Sequence, residues 1–366
     1  MADRIRVGIV GATVTLGGSG WGANAHVPAL QALSGYELKA VCTAHEETAR
    51  ASAEAFGAEL AFHDMNEMVA HPDVDLIAVV VRVPLHKQLV MAAIKANKPV
   101  CCEWPLGAHL AEATEMADAA KAAGLPTLVG LQAQSDPAVM YARDLVANGD
   151  IGDIVTVNLS VMVGAITERG DGRIWQGRRE NGANPMTIPG GHSIDALCYI
   201  LGEFAEVGAR VTTRIEMWKH AVTGADFPVD APDTVTAAGV LKSGAEVSYH
   251  LASVPYNASG TRMEIYGRKG TLVLTSKSVN IGPSQLHLTI GNETMAEITP
   301  PDSYQLIPAD MTAGPGKNVG QAYARFANAL QSGSSDSPDF YDAVARHALI
   351  DAMERSHRES KVITLV

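Results

Sequence analysis

The chain has 366 residues, and its 28 Lys and Arg against 40 Asp and Glu give a formal net charge of −12 at pH 7. Apolar residues make up 47% and charged residues 19%, proportions typical of a soluble globular protein and not of a disordered one. The length predicts two domains, the acidic balance argues against direct nucleic-acid binding, and no apolar run is long enough to cross a membrane.

The first 133 residues alternate short apolar stretches with segments of helical period. This alternation is typical of a parallel sheet covered by helices on both faces. Residues 1–133 are therefore predicted to form an α/β Rossmann domain built on a doubly wound parallel sheet. The predicted strands are 6–10, 37–41, 75–81, 99–102 and 127–131, and the predicted helices between them are 48–56, 65–70, 87–96 and 110–123.

A glycine-rich loop follows the first predicted strand and precedes a helix predicted near residues 23–33. Glycine lets the backbone approach a pyrophosphate, and the N-terminus of a helix offers free N–H groups and a positive potential. The loop exceeds the usual G-x-G-x-x-G spacing, and a purely structural turn is the alternative, but the βαβ series around it favours dinucleotide binding. The expected cofactor contacts are Gly8, Gly11, Gly20 and Trp21, and the loop also holds Gly17 and Gly18.

The residues after the second predicted strand bear on the choice between NAD and NADP. An NAD-selective Rossmann domain usually places Asp or Glu there, where the carboxylate bonds the ribose 2′-hydroxyl. This chain has the uncharged Thr43 at that position. Nothing there repels a 2′-phosphate, which this Thr, His45 or Arg50 could hold. Glu46 lies three residues further on and remains a partner of the NAD type. The sequence therefore predicts a nicotinamide dinucleotide, with NADP favoured over NAD.

The chain changes character near Asp150, after which strands alternate apolar and polar residues. In residues 154–163, Val157 and Leu159 share one face while Asn158 and Ser160 share the other, a pattern of half-exposed strands. Residues 134–366 are therefore predicted to form an α+β domain for substrate binding and oligomerisation, with a large, mostly antiparallel open sheet. Further strands are predicted at 206–218, 234–241, 246–254, 261–266, 271–275 and 285–290, and helices at 193–201, 320–330 and 340–356.

The cysteines and the N-terminus bear on the compartment. Cys42, Cys101, Cys102 and Cys198 lack the spacing of metal ligands, so no metal site is expected. Free thiols buried in a core are typical of a reducing compartment, and the N-terminus carries no signal-peptide pattern. We therefore expect a cytoplasmic protein.

Short motifs spread over the whole chain are similar to those of one family. They are V-P-L-H at 83–86, V-C-C-E-W-P-L at 100–106, G-D-I-G-D at 149–153, G-H-S-I-D at 191–195 and G-R-K-G-T-L at 267–272. Together they resemble the glucose–fructose oxidoreductase/inositol dehydrogenase/MocA-like (Gfo/Idh/MocA) family. The long glycine loop, the Glu103-Trp104 pair and S-D-P at 135–137 are similar to the branch of the fungal galactose-regulon inhibitor, a dinucleotide-binding regulator.

The resemblance implies what surrounds the cofactor. It places Val83 and His86 beside the dinucleotide, with Glu103 able to bond a ribose hydroxyl or to anchor the strand end. Trp104 cannot transfer a proton. This indole therefore stacks on the nicotinamide or on a sugar ring, or it fills the volume of the Lys that family dehydrogenases carry there. The resemblance also implies a cis peptide before Pro105.

The resemblance leaves His192 as the candidate catalytic residue. Family dehydrogenases combine a Lys, an Asp and a His, but this chain has Trp104 and Ile188 at the first two positions. His192 precedes a helix predicted at 193–201, whose positive N-terminal potential disfavours the imidazolium form. A neutral imidazole near pH 7 is what a general base requires, and a helix-capping histidine is the alternative.

Polar and aromatic side chains of the second domain are expected to contact the substrate. Loops positioned by a rigid sheet commonly carry binding residues, and the long loop before residue 192 is rich in arginine, tryptophan and asparagine. The alternative for each residue is a packing or surface role. The expected substrate contacts are Trp104, Trp175, Arg178, Asn184, His192 and Tyr249.

These features favour an NAD(P)-dependent oxidoreductase that transfers a hydride between the nicotinamide and a sugar, polyol or related hydroxylated compound. Loss of the Lys and Asp keeps two alternatives open. One is a dinucleotide-binding regulator or sensor without catalysis, and the other is a nicotinamide-dependent glycosidase or lyase that oxidises its substrate transiently. The expected partner is a small, carbohydrate-like molecule. An apolar face left on a half-covered sheet predicts a homodimer or homotetramer.

Overall fold

The computed structural model describes residues 4–14, 20–277, 284–291, 293–311, 314–333 and 336–365. The chain forms two compact units. The first comprises Met1–Leu131 and Leu306–Val344, and the second comprises Gln132–Gln305 and Ala345–Val366. The sequence suggested one division near residue 133 with everything beyond it in the second domain, whereas the structure returns residues 306–344 to the first unit.

A six-stranded parallel sheet forms the centre of the first unit. Its strands are β1 Ile5–Val10, β2 Tyr36–Cys42, β3 Leu60–Phe62, β4 Leu76–Val79, β5 Val100–Cys102 and β6 Thr127–Val129. They lie in the order β3-β2-β1-β4-β5-β6, the doubly wound order of a Rossmann fold, which confirms the predicted class. Strand β3 was not predicted, because three residues are too few to reveal a period.

Helices accompany the strands of both units. They are α1 Val27–Ala32, α2 Glu46–Phe56, α3 Met65–Ala70, α4 His86–Lys95, α5 Leu110–Ala122, α6 Pro137–Ala147, α7 Pro189–Leu201, α8 Gly316–Ser332 and α9 Phe340–Glu359. None of the described helices has both the length and the apolar character needed to span a membrane. Helix α6 was missed, although Asp136 caps it by accepting the N–H of Ala138 at 3.0 Å and Pro137 occupies its first position.

Helix α8 explains why residues 306–344 belong to the first unit. Its buried side chains Val319, Tyr323 and Phe326 recur at helical spacing and lie in the same core as Ile9 and Leu30. Truncating a buried phenylalanine to alanine typically costs about 3–5 kcal/mol. The core beneath β1 and β2 is therefore incomplete without this returning helix.

The second unit is built on a nine-stranded mixed sheet. The remaining strands of the chain are β7 Ile154–Gly164, β8 Glu168–Arg169, β9 Phe204–Thr212, β10 Met217–His220, β11 Asp226–Pro228, β12 Thr234–Leu241, β13 Glu246–Val254, β14 Gly260–Gly267, β15 Gly270–Ser276, β16 Gln285–Ile290, β17 Ala296–Ile298 and β18 Ile363–Thr364. The large sheet has the order β17-β16-β15-β14-β7-β13-β12-β9-β18. Strands β7 and β13 pair in parallel and the other neighbours pair antiparallel, which confirms the predicted mostly antiparallel sheet.

The two faces of the large sheet differ in polarity. Val157, Leu159 and Val161 of β7 are buried on the face that packs against α7. Ser160 and His250 lie on the opposite face, where the described side chains are mostly polar and partly or fully exposed. The expected exposed apolar face is therefore wrong, because helices of the same unit cover the apolar side.

A small separate sheet, in the order β11-β10-β8, was not predicted. The sequence predicted a single strand over residues 206–218, but the chain leaves the large sheet after β9. The buried Asp233 carboxylate accepts the backbone N–H groups of Arg214 and Ile215, each at 2.8 Å. These two bonds replace sheet bonds and turn the chain toward β10.

Candidate functional site

The glycine loop after β1 forms a closely packed backbone cradle in the first unit. Gly11 has a φ of +97°, and a Cβ there would overlap the carbonyl oxygen of Val80, so glycine is required. Gly20 also has a positive φ, +68°. Gly22 lies against Ala12, whose Cα would be 2.9 Å from an added Cβ. Side chains at these positions would clash with neighbouring atoms of the chain, so the glycines keep the turn between β1 and the next helix tight. A tight glycine turn of this kind fits a dinucleotide whose pyrophosphate approaches the backbone.

Gly8 has a structural role that differs from that of the loop glycines. It lies within β1, where an added Cβ would come 2.9 Å from the sulfur of Met68 and 3.0 Å from Val74. Its lack of a side chain therefore lets α3 approach the sheet. A contact between Gly8 and the dinucleotide stays a prediction.

The helix predicted near 23–33 starts with a different geometry. It opens as a π-helical turn, Gly22–His26, and continues as α1. Trp21 stands at its start and packs, partly buried, against the core of the first unit. Gly17 and Gly18 lie outside the described residues. The strand–loop–helix order that the sequence indicated is retained.

The turn after β2 has side chains bonded to one another. The Thr43 hydroxyl donates to the carbonyl oxygen of His45 at 3.0 Å and lies 2.6 Å from the hydroxyl of Thr48. Glu46 and Arg50 form an exposed ion pair in α2. The position at which NAD-selective Rossmann domains carry a carboxylate therefore holds a hydroxyl that is engaged within its own turn.

His86 is buried between two segments of the first unit. Its Nδ1 lies 2.9 Å from the carbonyl oxygen of Pro105, and its Nε2 lies 3.1 Å from that of Val81. Burial lowers the pKa of His86 below its ordinary value, and a neutral ring donates to only one of these two carbonyl oxygens. The side chain lies between the segments that follow β4 and β5. Val83, also buried, opens the short turn Val83–Leu85 that leads from β4 into α4.

Glu103 belongs to a buried hydrogen-bond network. Its Oε1 lies 2.9 Å from Nε2 of His26, whose Nδ1 lies 2.9 Å from the Tyr323 hydroxyl. One tautomer satisfies both contacts, since a proton on Nε2 is donated to Glu103 while Nδ1 accepts from Tyr323. Gly130 leaves the space, because a Cβ there would lie 2.5 Å from the Glu103 carboxylate. The network fixes this carboxylate at the carboxyl end of β5. This agrees with the alternative in which Glu103 anchors the end of the strand.

Trp104 is buried, with 5% of its surface exposed. Its peptide bond to Pro105 is cis, which confirms that expectation. Of the roles considered for the indole, this burial favours filling the volume of the absent Lys. The indole has no group that titrates in the working range, so Trp104 cannot act as an acid or base.

His192 lies inside helix α7 and not before it. The helix begins at Pro189, and the backbone N–H of His192 donates to the carbonyl oxygen of Ile188 at 3.1 Å. The predicted start of this helix was wrong by one turn, because a proline and two glycines mask it in the sequence. The imidazole is buried and still lies in the first turn, where the helix dipole acts most strongly.

Tyr249 and Asn184 pack around the start of α7. An added Cβ on Gly190 would lie 2.9 Å from the Tyr249 hydroxyl, and burial raises the pKa of that hydroxyl well above its usual range. The Oδ1 of Asn184 accepts the N–H groups of Met186 at 3.0 Å and Thr187 at 3.2 Å. Both side chains support the helix that carries the candidate base, and their contact with a substrate stays a prediction.

Trp175 and Arg178 lie together beside the small sheet of the second unit. The Trp175 Nε1 donates to the carbonyl oxygen of Gly172 at 2.8 Å. The Arg178 guanidinium lies over the Phe227 ring, 4.7 Å from its centre. Both side chains are partly exposed, so they remain available to a ligand.

Sequence reasoning missed a buried charge cluster behind α7. Asp195 accepts a hydrogen bond from Gln134 at 2.9 Å. Arg346 of α9 is buried, pairs with Glu203, and lies 3.9 Å from Asp195. Charged residues inside otherwise apolar helices were the available signal. The sequence offered no signal for the role of Tyr323, because its partner His26 is 297 positions away.

Two family models match the chain in succession. A model described as an oxidoreductase family with an NAD-binding Rossmann fold, GFO_IDH_MocA, matches residues 5–131. A model described as the C-terminal domain of Gal80p matches residues 137–276. The first match contains the glycine cradle, and the second contains α7 and most of the large sheet.

Proteins of known sequence or structure resemble this chain over most of its length. Dehydrogenase aclE of Aspergillus oryzae is 30% identical, covering 88% of this chain and 87% of its own. The myo-inositol 2-dehydrogenase of Thermotoga maritima is 28% identical, covering 77% of this chain and 82% of its own. The solved structure of levoglucosan dehydrogenase in complex with NADH and L-sorbose has the same fold, with a TM-score of 0.86 at 23% identity over 100% of this chain and 99% of that one.

Proposed function

This chain belongs to the Gfo/Idh/MocA oxidoreductase family, and on that premise we propose that it is an NAD(P)-dependent dehydrogenase acting on a sugar, polyol or related hydroxylated compound. The observation that carries the proposal is the glycine cradle, where a side chain at Gly11 would overlap Val80. The similarity to a myo-inositol 2-dehydrogenase favours a hydroxylated ring as the substrate.

Oxidation of an alcohol removes a hydride from carbon and a proton from the hydroxyl oxygen. A bound nicotinamide supplies the hydride acceptor. We assign the proton to a ring nitrogen of His192, because Trp104 and Ile188 offer no group that could take it. The buried contacts of Asn184 and Tyr249 with the start of α7 hold this imidazole in place.

The test is a panel of sugars and polyols with NAD⁺ and NADP⁺, followed by the absorbance of the reduced nicotinamide. Replacing a positioned general base lowers turnover by about a hundredfold to ten-thousandfold, so we expect that loss in His192→Asn with dinucleotide affinity nearly unchanged. His357→Asn, on the exposed end of α9, is the matched control and should keep the wild-type rate. A His192→Asn enzyme with full activity would place the base elsewhere.

A regulator that binds the dinucleotide without catalysis is the second candidate. The match to the Gal80p C-terminal domain and the replacement of Lys and Asp by Trp104 and Ile188 favour it. The double variant Trp104→Lys, Ile188→Asp separates the two functions. If neither the wild type nor the double variant turns over any substrate while both bind dinucleotide, the regulator is the better assignment.

We further infer that the cofactor site accepts the 2′-phosphate of NADP(H) and prefers it. Thr43 places no carboxylate beside the ribose, and His45 and Arg50 are exposed in the same turn and helix. The Glu46 carboxylate is paired with Arg50, which offsets its repulsion of a phosphate.

We also propose a homodimer or homotetramer that associates through the open polar face of the large sheet. Two rows of side chains cross this face. The basic row is Arg262, Ser160, His250, Thr236 and Arg210, and the acidic row is Tyr266, Thr156, Glu246, Val240 and Glu206. Two copies facing each other with reversed strand direction would set each basic row against an acidic row.

The cysteines favour a reducing compartment, and we propose the cytoplasm. Cys42, Cys101, Cys102 and Cys198 are all free and buried. Burial raises the pKa of the Cys42 thiol to about 11 and that of Cys198 to about 12. Thiols of this kind are unreactive packing groups. Reaction with a thiol reagent in the native and the unfolded chain measures their protection.

A further inference from the structure

Three arginines around the small sheet form no ion pair with any described carboxylate. They are Arg169, Arg173 and Arg178, within ten positions of one another in a chain that carries 40 Asp and Glu. Elsewhere buried arginines have acidic partners, as Arg346 has in Glu203 and Asp195. The carboxylates in and beside this sheet are engaged elsewhere or stand apart, as Asp171 with His220 and Asp226 with Lys219, so these three guanidinium groups keep no acidic partner among the described residues.

Arg169 is held rigidly in place. Its Nε donates to the carbonyl oxygen of Ile166 at 3.1 Å, and its Nη1 donates to Oε1 of Gln176 at 2.7 Å. Its guanidinium lies over the buried ring of Trp218, 4.3 Å from the centre. Its Nη2 makes no hydrogen bond to a described residue, so a preorganised donor remains available.

The position of Arg169 is electrostatically unfavourable in the protein alone. Burial, together with the charge of Arg173, lowers the pKa of Arg169 to about 10, and no carboxylate counteracts them. A partly buried cation beside a second cation costs free energy unless an anion accompanies it. The missing partner is therefore negative.

The turn between the two arginines leaves room for such a partner. The backbone N–H of Arg173 donates to the carbonyl oxygen of Gly170 at 2.9 Å, which turns the chain back after β8. A Cβ on Gly170 would meet no atom within 4 Å, so the space beside the turn is open. Arg173 is exposed at the end of this turn.

A second aromatic ring extends the positive surface. Phe227 is the cross-strand neighbour of Trp218, and the Arg178 guanidinium lies over it. Gly177 allows this arrangement, because a Cβ there would come 2.9 Å from the Phe227 ring and 3.0 Å from the Trp218 ring. Two guanidinium groups thus stack on the neighbouring aromatic rings Trp218 and Phe227 of the small sheet.

We propose that Arg169 and Arg173 bind the carboxylate or phosphate group of an anionic small molecule. A guanidinium fork matches the paired oxygens of both groups, and charge-assisted bonds of this kind are among the strongest in proteins. Arg178 adds to the potential that attracts the ligand. This site lies within the second unit, and binding there needs no dinucleotide.

Calorimetric titration without dinucleotide tests the site, using gluconate, glucose 6-phosphate and neutral glucose at a sodium chloride concentration that fixes the ionic strength. We expect at least one of the two anions to bind and glucose not to. Binding of gluconate alone assigns a carboxylate, binding of glucose 6-phosphate alone assigns a phosphate, and either result supports the site.

Two variants and a control locate the binding. Arg173→Gln changes an exposed side chain, and Arg169→Lys keeps the charge but loses the fork, so each should weaken anion affinity by about tenfold or more. Arg358→Gln removes an exposed charge from α9 and should bind as the wild type does. Equal affinity in wild type and Arg173→Gln, or no heat from either anion up to about 10 mM, would overturn the proposal. Because no cofactor is present, that failure would leave the dehydrogenase assignment untouched.

Discussion

The proposed preference for NADP(H) depends on residue 43, which follows the second strand of the first unit. In NAD-selective Rossmann domains a carboxylate after the second strand accepts the ribose 2′-hydroxyl and repels a 2′-phosphate. Here the Thr43 hydroxyl is bonded to His45 and lies beside Thr48 within the same turn. The side chain therefore stabilises the turn, and in the proposed NADP(H) site it acts only by placing no negative charge there.

Thr43→Asp should convert the cofactor preference. We expect the new carboxylate to weaken NADPH binding about tenfold or more, since like charges a few ångströms apart repel by roughly 1–4 kcal/mol near a surface, while NADH binding is kept. Titration of both cofactors by nicotinamide fluorescence measures the change. Thr43→Val, which removes the same hydroxyl bonds without adding charge, is the control. An equal loss of both cofactors in Thr43→Asp would mean that the turn had been disrupted.

Tyr323 is expected to stabilise the first unit through its hydroxyl. Tyr323→Phe leaves the Nδ1 of the buried His26 without its donor, and an unsatisfied buried group costs about 1–3 kcal/mol. Urea unfolding gives the change in the free energy of unfolding. Tyr341→Phe removes a hydroxyl that bonds the exposed Asp118 at 2.8 Å, and a surface change of this kind should stay within about 0.5 kcal/mol. Similar losses of unfolding free energy in the two variants would show that the buried network contributes no more than a surface hydrogen bond.

Asp75 should make the first unit sensitive to acid. Hydrogen bonds from Arg6 hold the pKa of the Asp75 carboxyl below its ordinary value. Because the folded pKa is the lower one, the stabilisation is fully present above the unfolded pKa of about 4 and is lost as the pH falls through the folded value. Asp75→Asn should therefore have a lower Tm at pH 7 and a flatter fall of Tm below about pH 4. Parallel Tm curves for variant and wild type would contradict this.

At the level of elements, periodic segments could be predicted and long-range pairings could not. Strands β12, β13 and β16 lie at the predicted positions, because alternation over six or more residues is visible locally. The break between β9 and β10 depends on Asp233, which contacts the chain about twenty positions earlier. The same limit applies to the site, since the cradle glycines are local while the partner of His26 comes from α8.

The returning helix α8 yields a test of the units. A fragment of residues 1–133, which follows the limits suggested by the sequence, should lack a cooperative thermal transition, because the core around Leu30 and Tyr36 loses Tyr323 and Phe326. A fragment joining residues 1–131 to 306–344 through a flexible linker should regain the transition and bind dinucleotide. Circular dichroism with heating compares them. A cooperative transition in the shorter fragment would show that α8 is dispensable.

At the level of the whole molecule, charge is unevenly distributed on an acidic chain. The net charge of −12 coexists with a basic row and an acidic row on the open sheet face. A surface of this pattern is complementary to its own copy when the strands run in opposite directions. Association through it would depend on salt, unlike association through an apolar face.

The proposed association is therefore expected to weaken at high ionic strength. Light scattering should give a dimer or tetramer mass at about 0.1 M salt and a smaller mass near 1 M. The double variant Arg210→Glu, Arg262→Glu reverses the charge of the basic row and should dissociate the oligomer at low salt. Arg358→Gln, away from the sheet, is the control. A monomeric wild type at low salt would defeat the proposal.

The divided first unit also sets an order of events during protein synthesis. The ribosome delivers Leu131 long before Val344, and the core of this unit needs both segments. At about 5–20 residues per second, the interval between them is roughly 10–40 s. During that time the newly made sheet presents the apolar surface that α8 will cover, so the nascent chain meets chaperones and proteases as an unfinished domain.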